Sequence, residues 1–497
     1  MSTKQYDNYA DLITFSRASG GTALRKIAYG SELVTNGTFD TDVSGWAGGN
    51  ATLSAVSASL RVTNDSSNYG YSYQAISTVI GKTYAVSVTR GSTTSGAVPS
   101  LRVGTSIAGF QNKIILVSSA GDYTAVFVAT STTTYISVLV GSNVAGQYTE
   151  FDNVSVKEVL FDQGDLTLFN HPAGIPRIEY DADGNVLGLL VEESRTNLVT
   201  YSEDFSQWSA VGAGTSIVSL SELDPAGSSN AALIKNTGGA YSIASSNITT
   251  SLGDTYTVSF WVKSAGLGND SFRLYFDGSV ISGNFTATSE WQRFSFTGTS
   301  DGSGSVAVTR NTSNDPFDLY IWGAQLEAGA FPTSYIPTAG ATATRSADVA
   351  SIPVADFGYN QSEGSVVVEG SHFETSITDA HAAFGFDDGT SNNRMWFYHN
   401  KGQWIGSTAG STTLNVDLPD PTKYSLHRSA MCYKENDSAL TIDASSVTVD
   451  SACTVPSVDT LHIGNTGTAS TPLNGHIKSI NYYPRRLTNA QLQELTT

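Results

Sequence analysis

Two segments of this 497-residue chain share the same beginning, middle and end. Each segment also carries a tryptophan shortly after its opening, Trp46 in the first and Trp208 in the second. The matched pairs are residues 32–40 and 197–205, residues 81–88 and 253–260, and residues 151–157 and 321–327. Because internal repetition marks repeated structural units, we expect two copies of one module. Recurrence at equivalent positions predicts a core role for both tryptophans.

The matched segments have the pattern of β-strands. Tyr84, Val86 and Val88 alternate with smaller or polar residues, as do the apolar residues of 256–262. A period of two is typical of a strand with one buried face, and turns rich in Gly, Ser and Asn separate these runs. A helical period appears only at residues 487–495, where Thr488 or Asn489 is the expected cap. The predicted class is all-β: tandem antiparallel jelly-roll β-sandwiches with a short C-terminal helix.

A segment of different character separates the two copies. Residues 177–191 contain an Asp-Gly-Asn turn between apolar runs, which predicts a β-hairpin. We expect residues 12–19 to pack with this hairpin, so that the first jelly roll is inserted into a small discontinuous platform. A third unit of another pattern begins near Gly364 and is expected to be a different sandwich.

These patterns set six predicted segments along the chain. They are 1–31, an N-terminal anchor or platform segment; 32–160, the first jelly roll; 161–196, the platform hairpin and linker; 197–345, the second jelly roll; 346–363, a linker; and 364–497, the last sandwich.

The charge balance and the cysteine content exclude several classes of protein. The 45 acidic residues outnumber 26 Lys and Arg, giving a formal charge of −19, which argues against nucleic-acid binding. The N-terminus lacks an apolar signal segment and no long apolar run occurs, so we expect neither signal-peptide export nor membrane insertion. Cys432 and Cys453 either form one disulfide or remain two small buried thiols, and they exclude an all-thiolate zinc site.

Three parts of the sequence resemble known families. The opening and close of the first copy, residues 32–40 and 151–156, resemble the carbohydrate-binding jelly rolls attached to bacterial glycanases. A second group of segments is similar to a sequence common in tailed-bacteriophage structural proteins: residues 15–19, 176–180, 188–198, 322–338 and 344–348. Residues 473–488 are similar to the close of concanavalin-A-like, laminin-G-type domains.

These resemblances imply a function at the surface of a virus particle. The expected protein is a non-enzymatic subunit of a virion appendage (tail fibre, spike or head fibre) that adheres to host-surface glycans. Its expected partners are other virion proteins and further copies of itself, with a trimer favoured. The alternative is a purely structural capsid or tail decoration protein that binds no glycan, and a glycan depolymerase is the third reading.

Glycan binding requires flat aromatic faces beside a few oriented polar groups. The alternating aromatic runs supply one candidate set in each module, although each set is also compatible with a sheet face packed against a neighbour. The candidates are Tyr69, Tyr71 and Tyr73 in the first copy; Trp261, on a face shared with Arg273 and Tyr275, in the second; and Trp396, Tyr398 and Trp404 in the third module.

The resemblance to carbohydrate-binding jelly rolls also implies a structural Ca²⁺ beside the opening strand and the closing aspartate. Oxygen donors suit this hard cation, and Asn36, Asp40 and Asp152 occupy the matching positions. The second copy has Trp322 in place of Asp152, so no metal is expected there. No other cofactor is required.

The sequence contains no recognisable catalytic motif. A laminarinase-like sandwich would carry a Glu-x-Asp-x-x-Glu strand, and the nearest approach, residues 179–184, runs into the predicted turn and lacks the last Glu. The seven histidines include no metalloprotease spacing, and no nucleophile elbow or phosphate-binding glycine loop is present. We therefore expect a protein that is not an enzyme.

Overall fold

The computed structural model confirms the all-β class. It describes residues 13–94, 98–211, 214–219, 222–237, 242–245, 248–266, 270–277, 280–310, 316–373, 379–467 and 471–497. Within these ranges the chain forms antiparallel sheets and one short C-terminal α-helix, and no helix there is long and apolar enough to cross a membrane. Residues 1–12 of the predicted anchor or platform segment lie outside the described residues.

The strands are numbered in chain order. The first group is β1 (Thr14–Ser16), β2 (Gly21–Glu32), β3 (Ala47–Gly49), β4 (Ala51–Ala55), β5 (Leu60–Asn64), β6 (Tyr71–Ser77), β7 (Thr83–Thr93), β8 (Ser100–Gly104), β9 (Lys113–Leu116), β10 (Gly121–Val128), β11 (Thr133–Leu139), β12 (Tyr148–Phe161) and β13 (Asp165–His171). The second is β14 (Ile178–Tyr180), β15 (Val186–Val191), β16 (Arg195–Asn197), β17 (Ser209–Val211), β18 (Thr215–Ser219), β19 (Ala232–Asn236), β20 (Ser242–Ser245), β21 (Thr255–Ser264), β22 (Ser271–Phe276), β23 (Val280–Ile281), β24 (Phe285–Thr286), β25 (Gln292–Thr299), β26 (Val306–Arg310), β27 (Phe317–Ala328), β28 (Ala343–Arg345) and β29 (Val349–Pro353). The third is β30 (Glu363–His372), β31 (Ala382–Asp387), β32 (Arg394–Tyr398), β33 (Gln403–Thr408), β34 (Ser411–Asp417), β35 (His427–Lys434), β36 (Ser438–Ile442), β37 (Thr448–Asp450), β38 (Thr460–Ile463) and β39 (Gly475–Tyr483), followed by helix α1 (Asn489–Glu494).

Residues 26–165 form a compact unit of their own, which we call the inserted unit because the chain on either side belongs to a second unit. One of its sheets contains β10, β7, β12 and β2 in that order, with β5 and β4 also attached through β12. The facing sheet has the order β3-β6-β11-β8-β9. Inside the unit, its first and last strands pair, and the Asp162 amide donates to the Lys26 carbonyl at 2.9 Å.

The larger unit, residues 13–25 and 166–497, contains the second copy of the module. Its sheets have the orders β18-β19-β27-β21-β25 and β17-β20-β26-β22-β23, which repeat the order of equivalent strands in the inserted unit. Trp46 is buried on Phe39 and donates to the Thr35 carbonyl, and Trp208 is buried on Phe205 and donates to the Tyr201 carbonyl. The predicted core role of both tryptophans is confirmed.

The third sandwich has two seven-stranded sheets, and it corrects the expected platform. Their orders are β1-β29-β38-β31-β32-β33-β34 and β14-β15-β39-β30-β35-β36-β37. The hairpin expected over residues 177–191 is present as β14 and β15, but it extends the second of these sheets instead of forming a separate platform. The N-terminal strand β1 extends the other sheet through β29. Both additions are favoured because Phe15 and Leu189 pack against the core of this sandwich.

Five charged side chains with almost no exposed surface meet inside the larger unit. We call Arg17, Arg177, Glu192, Arg345 and Asp348 the buried ion cluster. Asp348 pairs with Arg17 at 3.0 Å and with Arg177, and Glu192 pairs with Arg177 at 2.8 Å and with Arg345 at 3.5 Å. Buried charges are retained only when they are paired, so these partners must assemble together. All five come from the segments that resemble phage structural proteins, which gives that motif a role in folding.

The C-terminal helix and the cysteines complete the third sandwich. Thr488 caps α1 through a reciprocal capping box with Gln491, which confirms the predicted helix and selects Thr488 over Asn489 as the cap. Leu492 of the helix is buried beside Cys432 of the sheet. Cys432 and Cys453 are both buried free thiols, so the disulfide alternative does not hold in this structure.

Candidate functional site

The outer surface of sheet β3-β6-β11-β8-β9 in the inserted unit carries an aromatic strip. Along β6, the alternate residues Ser72, Gln74 and Ile76 point inward and are buried, so Tyr71 and Tyr73 point outward. Neighbouring strands add Tyr135 and Arg102 to the same outer surface, according to their register with β6 and β11. We call the surface formed by Tyr71, Tyr73, Tyr135 and Arg102 the tyrosine face.

The three rings of the tyrosine face lie next to one another. The ring centroids of Tyr71 and Tyr73 are 6.2 Å apart, and those of Tyr73 and Tyr135 are also 6.2 Å apart. The Tyr71 ring rests on Gly49, where an added Cβ would lie 2.2 Å from the ring, so glycine permits this close approach. All three rings are half-buried, which leaves part of each available at the surface.

Arg102 lies beside the strip, where it is partly held by the following loop. Its Nη1 donates to the Ala108 carbonyl at 3.2 Å, and its guanidinium lies 5.6 Å from the Phe110 ring centroid. Beyond it, Phe110, Ile114 and Leu116 are exposed apolar residues. Aromatic surface beside an oriented cation is chemistry suited to a sugar chain, since rings contact C–H groups and the cation contacts polar substituents.

Sequence reasoning found only part of this face. Tyr71 and Tyr73 belong to the strip, and Tyr69 lies just before β6 with 55% of its surface exposed. Tyr135 and Arg102 were missed because they come from strands that are remote in sequence. The alternation within residues 133–139 was the available signal for an outward Tyr135, but it does not identify its neighbour.

The shared face predicted for the second copy is wrong. Trp261 does point away from the core, but it lies on β21, whereas Arg273 and Tyr275 lie on β22 in the opposite sheet of the sandwich. The chain crosses between sheets after β21, so the side chains face opposite directions. Trp261 packs in a small cluster with Trp322 and Tyr335, and is therefore a packing residue.

The aromatic set predicted for the third module does not form an exposed platform. Trp404 points into the core, is fully buried, and donates from Nε1 to the Ser438 hydroxyl at 3.1 Å. Trp396 is on the outer side, as the alternation predicts, but only 4% of it is exposed because Arg394 covers the ring at 4.1 Å. Tyr398, 6.1 Å from Trp396, is the one member that remains half-buried.

Two of the three residues predicted to bind calcium interact electrostatically. Burial raises the pKa of Asp152, and the neighbouring carboxylate of Asp40 raises it further, so these two lie close enough to interact. The Asn36 Nδ2 group donates to Asp42 and to the Ser44 carbonyl. Ca²⁺ takes about six to eight oxygen ligands. No group of three or more Asp, Glu, His or Cys suited to a metal occurs among the described residues. That finding does not test a set of two carboxylates and one amide, so calcium binding by Asn36, Asp40 and Asp152 stays a prediction.

A polar cleft of about 500 Å³ in the second copy was not anticipated from the sequence. Glu203 lines it together with Tyr201, Asn230 and Thr338. Burial raises the pKa of Glu203, whose carboxylate accepts a 2.8 Å hydrogen bond from the Tyr335 hydroxyl. The adjacent Asp204 caps a short 3₁₀ helix by accepting from the Ser206 amide and is committed to that role. The lining of the cleft therefore contains two carboxylates, Glu203 and Asp204, and each already accepts a hydrogen bond from the protein.

Comparisons with known proteins give weak likenesses only. No family model matches the chain, and no curated protein matches it. A solved CBM4 structure is 15% identical, with a TM-score of 0.21, and the match covers 25% of this chain and 99% of that one. The CBM22-1–CBM22-2 tandem domain from Paenibacillus barcinonensis Xyn10C is 12% identical, with a TM-score of 0.22, over 61% of this chain and 98% of that one.

A Trypanosoma rangeli sialidase in complex with the inhibitor DANA is 10% identical, with a TM-score of 0.24, over 96% of this chain and 94% of that one. TM-scores of this size are too low to transfer a function from any of these proteins. Any proposal about the function of this chain must therefore depend on the geometry of the described residues.

Proposed function

We propose that this chain is a non-enzymatic glycan-binding protein and that the tyrosine face of the inserted unit is its binding surface. The observation that supports this most directly is the continuous strip of Tyr71, Tyr73 and Tyr135, with successive ring centroids 6.2 Å apart and a cation on the same surface. The rings stand on rigid strands, so little side-chain freedom is lost on binding.

The contrast with core aromatics supports this proposal. Tyr84 and Phe127 of the same unit stack at 5.6 Å and are almost fully buried, as expected of rings that stabilise the fold. The three rings of the tyrosine face lie outside that core and keep exposed surface. Aromatic surface that is exposed to water is unfavourable unless a partner covers it, so clustered exposed rings often mark an interaction site. This favours a ligand-binding role for the tyrosine face.

Binding of the full chain to a glycan array, followed by titration of the best ligand, tests the proposal. Tyr73→Ala removes the central ring and is expected to weaken binding about 5- to 10-fold, roughly 1–1.4 kcal/mol. Tyr29→Ala is the matched control, because Tyr29 is an exposed tyrosine on the other sheet of the same unit. Absence of any glycan ligand, or equal losses in the two variants, would exclude the tyrosine face as the site.

We further propose that the protein resides on the exterior of a phage particle as an oligomeric appendage subunit. The support for this is the sequence resemblance of residues 15–19, 176–180, 188–198, 322–338 and 344–348 to tailed-phage structural proteins. Immunogold labelling of purified particles tests the location, and light scattering of the purified protein tests whether it is a trimer. A chain absent from particles would contradict the first part, and a monomer at micromolar concentration the second.

A purely structural decoration protein is the second candidate. The exposed apolar residues Phe110, Ile114 and Leu116 at the edge of the tyrosine face favour it, because such residues also suit a protein neighbour. The two candidates predict opposite results for Tyr73→Ala. Weaker incorporation of this variant into particles, in a protein that binds no glycan, favours the decoration protein. Weaker glycan binding with unchanged incorporation favours the glycan-binding protein.

A further inference from the structure

The polar cleft of the second copy is lined by carboxylates and lacks a positive group. Glu203 and Asp204 both line it, and no Lys, Arg or His does so among the described residues. The Glu203 carboxylate accepts one hydrogen bond, from the Tyr335 hydroxyl, and no described basic residue pairs with it. No charged residue occurs in the nearest segments of sequence outside the described residues, 212–213, 220–221 and 238–241. A carboxylate withdrawn from water is unfavourable without a counter-charge, so a cationic ligand would stabilise this cleft.

A third carboxylate lies close to Glu203 but outside the lining. Asp224 is only 5% exposed, and its charge adds to the effect of burial in raising the pKa of Glu203. Its Oδ1 accepts hydrogen bonds from the Ala226 and Ser228 amides, whereas Oδ2 is buried with no hydrogen-bond partner among the described residues. Native structures rarely leave a buried polar atom unpaired, so this oxygen indicates a group that is supplied from outside the chain.

The size and the rim of the cleft distinguish between cationic ligands. Its volume of about 500 Å³ is in the range of small-molecule sites. The part of the chain that the structure describes holds no group of three or more Asp, Glu, His or Cys suited to a metal, so these three carboxylates do not form a metal site. Ser206, Ser229 and Asn230 are exposed lining residues that offer hydroxyl and amide groups, and Tyr201 adds a partly exposed ring. These groups suit the hydroxyls and C–H surface of a sugar.

We infer that this cleft is a second binding site, separate from the tyrosine face, and that it binds an amino sugar whose nitrogen is a free ammonium group. Glu203 accepts from the ammonium group through Oε2, since Oε1 already accepts from Tyr335. A hydrogen bond between two charged groups is stronger than one to a neutral sugar. A lysine side chain carries the same ammonium group, but its methylene chain would lie against the polar rim and leave the rim groups unpaired. The inference goes beyond the proposed function because it uses no residue of the tyrosine face.

Calorimetric titration of the full chain at low salt tests the inference with three ligands. They are the trimer of glucosamine, the trimer of N-acetylglucosamine, which is neutral, and N-acetylated trilysine amide, which also carries three ammonium groups. We expect the glucosamine trimer to bind at least about tenfold more tightly than either of the others. Equal binding of the N-acetylated trimer overturns the role of the ammonium group, and equal binding of the lysine peptide overturns the assignment to a sugar. Absence of binding by the glucosamine trimer overturns the whole inference.

Two substitutions assign the binding to the cleft. Glu203→Gln keeps the side-chain volume and an acceptor for the Tyr335 hydroxyl but removes the charge, so we expect about tenfold weaker binding of the glucosamine trimer. Asn230→Lys places a cation at the exposed rim without altering a buried residue, and is expected to weaken the same binding to a similar extent. Both variants are expected to bind the N-acetylated trimer as the wild type does.

Asp318→Asn is the matched control. It removes one carboxylate from the same unit outside the cleft, where Asp318 pairs with Lys235, so it lowers the general attraction of a chain with a net charge of −19 by the same amount. Thermal unfolding establishes that each variant is folded. Wild-type affinity for the glucosamine trimer in folded Glu203→Gln or Asn230→Lys protein, or an equal loss in Asp318→Asn, overturns the inference.

Discussion

Arg17 and Asp348 are 331 positions apart in the sequence and form a 3.0 Å ion pair in which neither side chain has exposed surface. Asp348 also pairs with Arg177 and accepts a 3.0 Å hydrogen bond from the Glu192 amide. One carboxylate therefore joins the N-terminal strand region, the hairpin and the segment that leads into the third sandwich. Removing it would leave buried guanidinium groups without their counter-charge.

We therefore predict that Asp348→Asn strongly destabilises the protein. The expected loss is about 3–5 kcal/mol, because the substitution keeps the volume but removes the charge that compensates two buried arginines. Asp318→Asn is the control, since its pair with Lys235 is partly exposed and is expected to contribute less than about 1 kcal/mol. Denaturant unfolding of both variants measures the difference, and similar losses would contradict the role given to the cluster.

The third sandwich is predicted not to fold from residues 364–497 alone. That fragment lacks β1 and β29 from one sheet and β14 and β15 from the other, and with them the buried residues Leu190, Val191, Ala350 and Ile352. Its expression is expected to give insoluble protein, because the missing strands would expose the edges of β38 and β39.

The complementary deletion is predicted to fold. A chain in which a short Gly-Ser linker replaces residues 26–165 retains every strand of the third sandwich and the buried ion cluster. Soluble expression and a cooperative thermal transition are the expected results. A soluble, cooperatively folded 364–497 fragment would show that the added strands are dispensable.

Stability is predicted to fall below neutral pH because of two buried histidines. His372 and His399 lie with their Nδ1 atoms 3.0 Å apart inside the third sandwich, near His381 and His427. Burial, together with the smaller effect of neighbouring histidines, lowers the pKa of His372 to about 4 and that of His399 to about 3. The ordinary value is 6.5, so the unfolded chain binds protons between about pH 6.5 and 4 that the folded chain does not.

As the pH falls through that range, each histidine lowers the free energy of unfolding by at most about 1.4 kcal/mol per pH unit. Above that range the two histidines have no effect on stability. The Asp443 carboxylate pairs with His427 at 2.6 Å. Urea unfolding at pH 7.5, 6 and 5 measures the slope. The His372→Asn, His399→Asn double variant is expected to have a shallower slope, and an unchanged slope would assign the pH dependence to other groups.

Trp404→Phe is predicted to affect stability and not glycan binding. The substitution removes the hydrogen bond to Ser438 and leaves a small cavity, at a cost of about 2 kcal/mol. Binding of the best glycan ligand is expected to remain at the wild-type level, since Trp404 has no exposed surface. A folded variant with weaker glycan binding would show that Trp404 contributes to the ligand-binding surface.

The sequence predicted the module and its internal alternation because these depend on local periodicity. The inward direction of Met395 and Phe397, and hence the outward direction of Trp396, followed from a period of two. Alternation does not reveal that Arg394 covers Trp396, or that the strand after Trp261 belongs to the opposite sheet. Those outcomes depend on contacts between strands remote in sequence, as do the positions of Tyr135 and Arg102 on the candidate site.

The hydrogen bond between Asp162 and Lys26 holds the two ends of the inserted unit next to each other. Both chain crossings into the inserted unit occur at one paired position, so another domain with adjacent termini can occupy the same place without altering the remaining strands. A different domain could therefore be acquired by recombination at two short sequence boundaries. The rest of the chain would keep its buried charges and its fold.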